Sequence, residues 1–566
     1  MTGPSGRGWS FDRPAQWLLA TSLTAVVLVP LAPILYQSVL SDRLYERDTE
    51  LTLVNYALAF GSDELRATAL ATVGFVLLTT VLSIVLGTAF AVLLTRTDTP
   101  TRSVLHDIVI LPFYVSPLVL AFAWAILYGP SGFATVWVRS VLGLPVWQLY
   151  TLVGMAVVAA VYYVPYAYLY AIGSLALTDP QLEDAGRIAG AGPFRTLFSI
   201  TLPLLRPAIA GASLLTLVSA IELLSIPLVL GSPVGVEVLS TFLFATASRS
   251  TPHDYGIVAA VSVAMLAVIT VLVWLQARIT GAERRYVTVG GKAIRGRVVG
   301  LGTLRWPVAL MLWAYVAVAV VLPIVGIFAQ SATAFLSPLI DPLSVLTTDH
   351  FRQIFDQPAY VGSIRNSLVI AGVGGLAATA FIGLAVLVTT RSDFPLRGAL
   401  SYIALYPRAV PGIIVGIGFL WTMLLVPGLG ELRNTLLALT IAFTVRFLPI
   451  GFGALTPSVL RISGELDRAA RVAGATWLTT TRTVLVPLLR PALASAFVLL
   501  FVSFVKEYAS ALFLVTGGSE VIGTTMIELW RQGNSGPVAA LSATQLVLTL
   551  VAIVVGQRLL GARLRG

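Results

Sequence analysis

Five charged side chains fall inside long apolar stretches of this 566-residue chain: Glu222, Arg408, Arg446, Lys506 and Glu507. A charge at the centre of a hydrocarbon-buried helix costs on the order of 2.5–3.5 kcal/mol, so each needs an internal partner or a wet cavity. Such residues could line a path for a polar solute, and the three cations would suit an anion or an anion-liganded metal. Glu222 and Glu507 take nearly equivalent places in the two halves, where a structural ion pair is the alternative to a path role. Tyr162, Tyr163, Tyr166, Tyr168 and Tyr170 crowd around Pro165. Phenolates ligate ferric iron, but tyrosine serves more often in packing or as an interfacial belt. There is no cysteine, and the three histidines His106, His253 and His350 are far apart in sequence, so thiol chemistry, disulfides and a His/Cys metal site are unsupported. No catalytic residue, metal ligand or enzymatic role is assigned to the chain.

The elements that must hold these residues are membrane-spanning helices. Hydrophobic residues make up 57% of the chain and charged ones 11%, with a mean hydropathy of +0.90; a soluble globule carries about 25% charged residues. Apolar runs of spanning length lie near 17–37, 68–94, 108–128, 149–172, 208–230 and 256–275, and again near 306–328, 367–389, 399–425, 435–455, 492–515 and 538–556. The expected fold is therefore an all-α integral membrane protein of about twelve spans with both termini on one side. The run after Arg7 and Arg13 is long enough to span and is read as a retained first helix. Connections on the side of the termini hold 24 of the 36 basic residues and the opposite side nine, which makes the terminal side cytoplasmic. Pro112, Pro117, Pro165, Pro407, Pro411 and Pro449 lie within spans and should bend or interrupt them.

One stretch occurs twice. Residues 179–207 (DPQLEDAGRIAGAGPFRTLFSITLPLLRP) align without a gap on 463–491 (SGELDRAARVAGATWLTTTRTVLVPLLRP), 284 residues later, close to half the chain length. Arg187, Gly190, Pro203, Arg206 and Pro207 recur as Arg471, Gly474, Pro487, Arg490 and Pro491. Each copy reads as a short helix capped at Asp179 or Ser463 and stopped at Gly190 or Gly474, followed by a second helical stretch into the proline. Its Leu182, Ala185, Gly186, Ala189 face, matched by Leu466, Ala469, Ala470 and Ala473, is built mostly of small side chains that permit close approach. The duplication extends to Arg96-Thr-Asp-Thr-Pro100-Thr-Arg102, echoed by Arg391-Ser-Asp-Phe-Pro395-Leu-Arg397. It divides the chain into a first repeat (1–277), a basic cytoplasmic linker (278–305) and a second repeat (306–566), parallel repeats of six spans each.

This pattern resembles the signature loop of permease subunits of type I binding-protein-dependent ABC importers. It falls on Asp184, Ala185, Gly186, Gly190, Ile200, Leu202 and Pro203, then on Arg468, Ala469, Ala470, Gly474, Val484, Val486 and Pro487. The departures are Gly186 in the first copy and Arg468, Val484 and Val486 in the second. The resemblance implies that Asp184, Ala185, Gly186, Arg187, Gly190 and Pro203, with Arg468, Ala469, Ala470, Arg471, Gly474 and Pro487, couple the permease to an ATPase. It further implies two copies of a cytoplasmic ABC ATPase, an extracytoplasmic substrate-binding protein, surrounding membrane lipid and no nucleic acid as partners. ATP and magnesium would be used by the ATPase, with no cofactor on this chain. Lys506-Glu507-Tyr-Ala-Ser-Ala511-Leu512, Leu529-Trp530-Arg-Gln-Gly533, Glu222-Leu-Leu-Ser-Ile-Pro227 and Thr288-Val-Gly-Gly-Lys292 resemble fused ferric-iron permeases. Relatives carrying thiamine or aminophosphonates share the architecture, and an ion-coupled secondary transporter is the competing class. Gly290-Gly291-Lys292 is not a phosphate loop, because Tyr286 and Ala293 replace the required Gly and Ser/Thr.

Overall fold

Backbone polar groups in hydrocarbon must be satisfied within the protein, and this chain does so with helices. The computed structural model describes residues 12–46, 49–177, 180–249, 254–283 and 298–559. Among them the only β pairing is three isolated bridges. Eleven helices among the described residues are long and apolar enough to cross a membrane, and two further helix pairs there qualify together but are bent by 73° and 110°.

The chain forms two compact units. One contains α2 (Asp63–Arg96), α3 (Arg102–Tyr114), α4 (Pro117–Tyr128), α5 (Leu152–Leu177), α6 (Pro180–Ile188), α7 (Leu202–Ile221), α8 (Leu239–Arg249), α9 (Tyr255–Glu283) and α10 (Arg305–Val316). The other contains α1 (Asp12–Leu28), α11 (Gly375–Arg391), α12 (Arg397–Leu405), α13 (Gly412–Leu425), α14 (Leu436–Arg461), α15 (Glu465–Val472) and α16 (Val486–Lys506). The units are not the sequence repeats: residues up to Thr52 pack with the second repeat, and the leading span of the second repeat packs with the first.

Close contacts explain both exchanges. Gly418 in α13 has no side chain, and a β-carbon there would collide with the carbonyl oxygen of Pro30 just beyond α1. In the other unit, Pro323 has no N–H to give Ala319, and the chain widens into a π turn over Ala317–Val321. The freed carbonyls are taken up by α4: Trp124 Nε1 donates to Ala319 O at 3.3 Å, and Tyr128 Oη donates to Val318 O at 2.7 Å.

Four of the expected spans are interrupted. Stretch 108–128 divides at Val115 and Ser116, both extended, the latter because Pro117 follows, and 399–425 divides before Pro411 with the 110° bend. Stretches 208–230 and 492–515 were expected to be continuous. Instead their helices begin earlier and end at Ile221 and Lys506, so Glu222 and Glu507 each follow the last helical residue. The carbonyls at such ends lack intrahelical partners, which makes them natural places for polar side chains. Most of the linker, residues 284–297, lies outside the described residues, as do Arg7, Asp179 and His253. Its end is held: Val299 N donates to Arg96 O at 2.9 Å, and Leu301 N donates to Asp98 Oδ1 at 2.7 Å.

Candidate functional site

The duplicated segment folds the same way twice. In α6, Ala191 N donates to Gly186 O at 2.9 Å across Gly190, whose φ is +85°. In α15, Ala475 N donates to Ala470 O at 2.9 Å across Gly474, whose φ is +81°. This six-to-one bond over a left-handed residue is the Schellman closure, and it requires a residue without a β-carbon penalty. Ser463 Oγ accepts from Glu465 N at 3.2 Å, the N-terminal cap the sequence predicts. After each glycine comes a single helical turn, Pro193–Thr196 or Trp477–Thr480, and then a five-residue π turn. The π turn ends just before Pro203 or Pro487. Proline at those positions removes a donor and crowds the carbonyl four residues back, and the wider turn relieves the crowding.

Two residue pairs anchor these helices, and the sequence reading did not assign them. Arg96, the last residue of α2, stands 3.5 Å from Glu183 Oε1 in α6 and donates to Leu175 O at 3.2 Å. Arg391, the last residue of α11, donates to Asp467 Oδ2 in α15 at 2.9 Å and to Val459 O at 2.7 Å. It also donates to Ile462 O. Leu175 and Val459, like Glu183 and Asp467, are 284 residues apart, so the clamp is duplicated as a whole. The legible signal is the recurrent Arg96 and Arg391 motif, which the sequence presents as part of the duplication and of the basic cytoplasmic side.

The two clamps differ at the carboxylate. Thr201 Oγ1 donates to Glu183 Oε1 at 3.1 Å. The counterpart of Thr201 is Leu485, which has no hydroxyl, and Asp467 Oδ1 is buried without a hydrogen-bond partner.

The faces of α6 and α15 also repeat. Ile188 is 88% exposed and its counterpart Val472 90%, with Leu182 and Leu466 exposed beside them. Ala185, Ala189, Ala469 and Ala473 share that exposed surface. Gly186 and Ala470 are instead half-buried, and a β-carbon on Gly186 would overlap Ile200 Cδ1. Position 470 carries that β-carbon, and position 484 is Val, one methyl shorter than Ile200. The copies thus divide the space differently, glycine with isoleucine in the first and alanine with valine in the second. Pro203 and Pro487 open α7 and α16. Arg468 is exposed; the side chains of Asp184, Arg187 and Arg471 lie outside the described residues.

Of the five intramembrane charges, Arg446 and Glu507 come together. A β-carbon on Gly412, the first residue of α13, would stand 3.4 Å from Arg446 Nε and 3.5 Å from Glu507 Oε1, so the glycine lies between opposite charges. Arg446 Nη1 donates to Val410 O at 2.9 Å, and Glu507 Oε1 accepts from both the N–H and the hydroxyl of Ser510 at 2.8 Å. Both groups therefore tie down backbone at helix breaks. Arg408 is half-buried in the 3-10 turn Tyr406–Ala409, and Lys506 is half-buried at the end of α16.

Glu222, in the other unit, is within electrostatic reach of Tyr162 and Tyr166. Tyr162, Tyr163 and Tyr166 form one aromatic cluster with ring centres 5.0–6.3 Å apart, and Tyr163 Oη donates to Ser219 O at 2.7 Å. Tyr168 leaves that cluster to meet His106 Nδ1 at 2.6 Å.

The family of binding-protein-dependent transport system inner membrane components matches residues 80–285 and 370–566, one match around each capped and clamped helix. The chain belongs to this family. The permease is 28% identical over 482 residues to the ferric transport system permease protein FbpB of Actinobacillus pleuropneumoniae, covering 84% of this chain and 68% of that protein. It is 29% identical over 448 residues to the putative ferric transport system permease protein FbpB 1 of Haemophilus influenzae, covering 78% and 69%. Over 542 residues, 92% of each chain, it is 23% identical to the probable ABC transporter permease protein y4fN of Sinorhizobium fredii. The permease is thus an integral inner-membrane transport subunit of an ABC importer, with two family repeats fused in one chain.

Proposed function

We propose that this permease carries ferric iron across the membrane, powered by two copies of a cytoplasmic ATPase that receive α6 and α15. The observation that carries the coupling is the duplicated exposed face: Ile188 and Val472 are nearly fully exposed on helices otherwise held by buried arginine clamps. An apolar side chain on a rigid, anchored helix suits a groove on a partner. The clamps supply the mechanical link, because Arg96 and Arg391 join the docking helices to the ends of α2 and α11. ATP would move the gate through different contacts of these helices in the two states. In this reading the termini and linker face the cytoplasm, and ATP and magnesium stay with the ATPase.

Iron as cargo is supported by the two ferric-permease relatives. An extracytoplasmic binding protein would deliver it. The Arg446–Gly412–Glu507 group, with Arg408 and Lys506, and Glu222 in the other unit, would line the path at breaks where backbone carbonyls are also available. The test is uptake of ferric iron into vesicles holding the permease with its ATPase and binding protein. ATP-dependent accumulation is expected, and Ile188→Asp with Val472→Asp should abolish it together with ATPase co-purification. Uphill uptake with an ion gradient and no ATPase would overturn the coupling; ATP-dependent uptake of another solute in place of iron would overturn the cargo.

A further inference from the structure

α7 packs against both α2 and α9, and an apolar groove of about 470 Å³ runs between the last two. One wall is Ala69, Val73 and Leu77 of α2, the other Ala264, Val268 and Leu272 of α9. Both sets recur at helical spacing, so the groove follows the helix axes rather than crossing them. Its floor includes Leu217 and Ile221, from the last turns of α7. Val73, Leu77 and Val268 are each more than half exposed, so the groove opens sideways, at membrane depth, toward the surroundings of the protein. Water has no polar partners in such a groove, whereas hydrocarbon fits it without cost.

Among the described residues the one charged side chain lining it is Arg66, at the end of α2 away from Arg96. Its guanidinium is largely exposed and gives Nη1 to Asp63 Oδ1 at 3.2 Å, one of five N–H donors. From Arg66 to Leu77 the groove follows α2 for about 16 Å, against about 15 Å for one leaflet of a 30 Å hydrocarbon core.

We infer that the groove is a phospholipid site, holding one acyl chain lengthwise with the phosphate at Arg66, in the leaflet opposite the docking helices. The length matches one chain in one leaflet, and the cation stands where a headgroup phosphate must be. The site goes beyond the transport reading and does not rest on it. It lies against α7, the helix that leads from the first docking helix to Glu222, so its occupancy bears on a moving part of the permease.

The test uses full-length permease in nanodiscs of phosphatidylethanolamine and phosphatidylglycerol, with a tracer phosphatidylglycerol bearing a diazirine on its acyl chain. Photolabelling should concentrate on peptides covering 66–77 and 261–272, at least fivefold above the lipid-exposed stretch 310–325. Ala264→Trp, which fills the groove, should lower that labelling at least fivefold without changing 310–325. Arg66→Gln should lower it two- to threefold. Val73→Phe, a milder filling, decides the matter if the tryptophan variant does not elute as a single folded species. Even labelling over all lipid-facing surfaces, or groove labelling unchanged by filling, would overturn the site. Labelling of the groove below the reference stretch would mean that protein covers it, and would overturn it equally.

Discussion

Arg391 Nη1 donates to Asp467 Oδ2 across 2.9 Å, and the second carboxylate oxygen of that aspartate is buried with no hydrogen-bond partner. Glu183, its counterpart, has both Arg96 and the Thr201 hydroxyl. One guanidinium therefore holds the second docking helix where two groups hold the first. Removing one member of a buried ion pair costs on the order of 3–5 kcal/mol.

Arg391→Ala is accordingly expected to loosen α15 more than Arg96→Ala loosens α6. Arg468 and Arg471 in α15, and Arg187 in α6, are trypsin sites within the two helices. Limited trypsinolysis in membranes should cut α15 of Arg391→Ala at least tenfold faster than wild type, with a smaller acceleration at Arg187 in Arg96→Ala. Equal acceleration in the two variants would show that Thr201 contributes nothing.

The crowding between Gly186 and Ile200 makes a double-mutant test. Gly186→Ala alone makes the terminal methyl of the half-buried Ile200 turn aside, at a small cost in stability. Gly186→Ala with Ile200→Val reproduces the pair found at Ala470 and Val484 and should recover most of the loss. Thermal unfolding of the detergent-solubilised protein measures the cycle; strictly additive effects would refute the compensation.

Gly190→Val and Gly474→Val place a β-branched residue at φ near +80°, where L residues are disfavoured by roughly 1–2 kcal/mol. The double variant should insert normally yet lose ATP-dependent uptake and ATPase co-purification. Asparagine, which tolerates this conformation, should retain both at least in part. Unaltered uptake with valine at both positions would remove the docking role.

Arg446→Ala is expected to lower uptake at least tenfold while leaving ATPase association intact. The side chain is tied to Val410 O and lies near Glu507, so its loss disturbs the break before α13 rather than the docking helices. Normal uptake in the same vesicle assay would place Arg446 outside the path.

Length and hydropathy made the spans legible, because bilayer thickness imposes the same helix length on every sequence. The glycine stops of α6 and α15 were equally legible, since a left-handed closure leaves few alternatives. Helix ends inside the membrane leave only a polar signal, because hydropathy alone does not distinguish a continuing helix from a broken one after Ile221 or Lys506. The charges at Glu222, Lys506 and Glu507 were that signal, read as residues inside a helix when they mark its end. The partners of Arg96 and Arg391 escaped because an arginine at a helix end reads equally well as a topological marker or as half of a buried pair. Gly186 reads from the sequence only as a departure, because nothing in the spacing shows that the fold sets Ile200 against it.

The exchange of leading spans makes the order of synthesis matter. α1 leaves the ribosome well before the residues it packs with, which begin at Gln357, about 300 positions later. At about 5–20 residues per second that is a delay of roughly 15–60 s. During it the newborn helix must reside in lipid without its eventual neighbours. A polypeptide truncated at the linker would leave that helix stranded, and two separately made halves could mature only by finding each other in the bilayer.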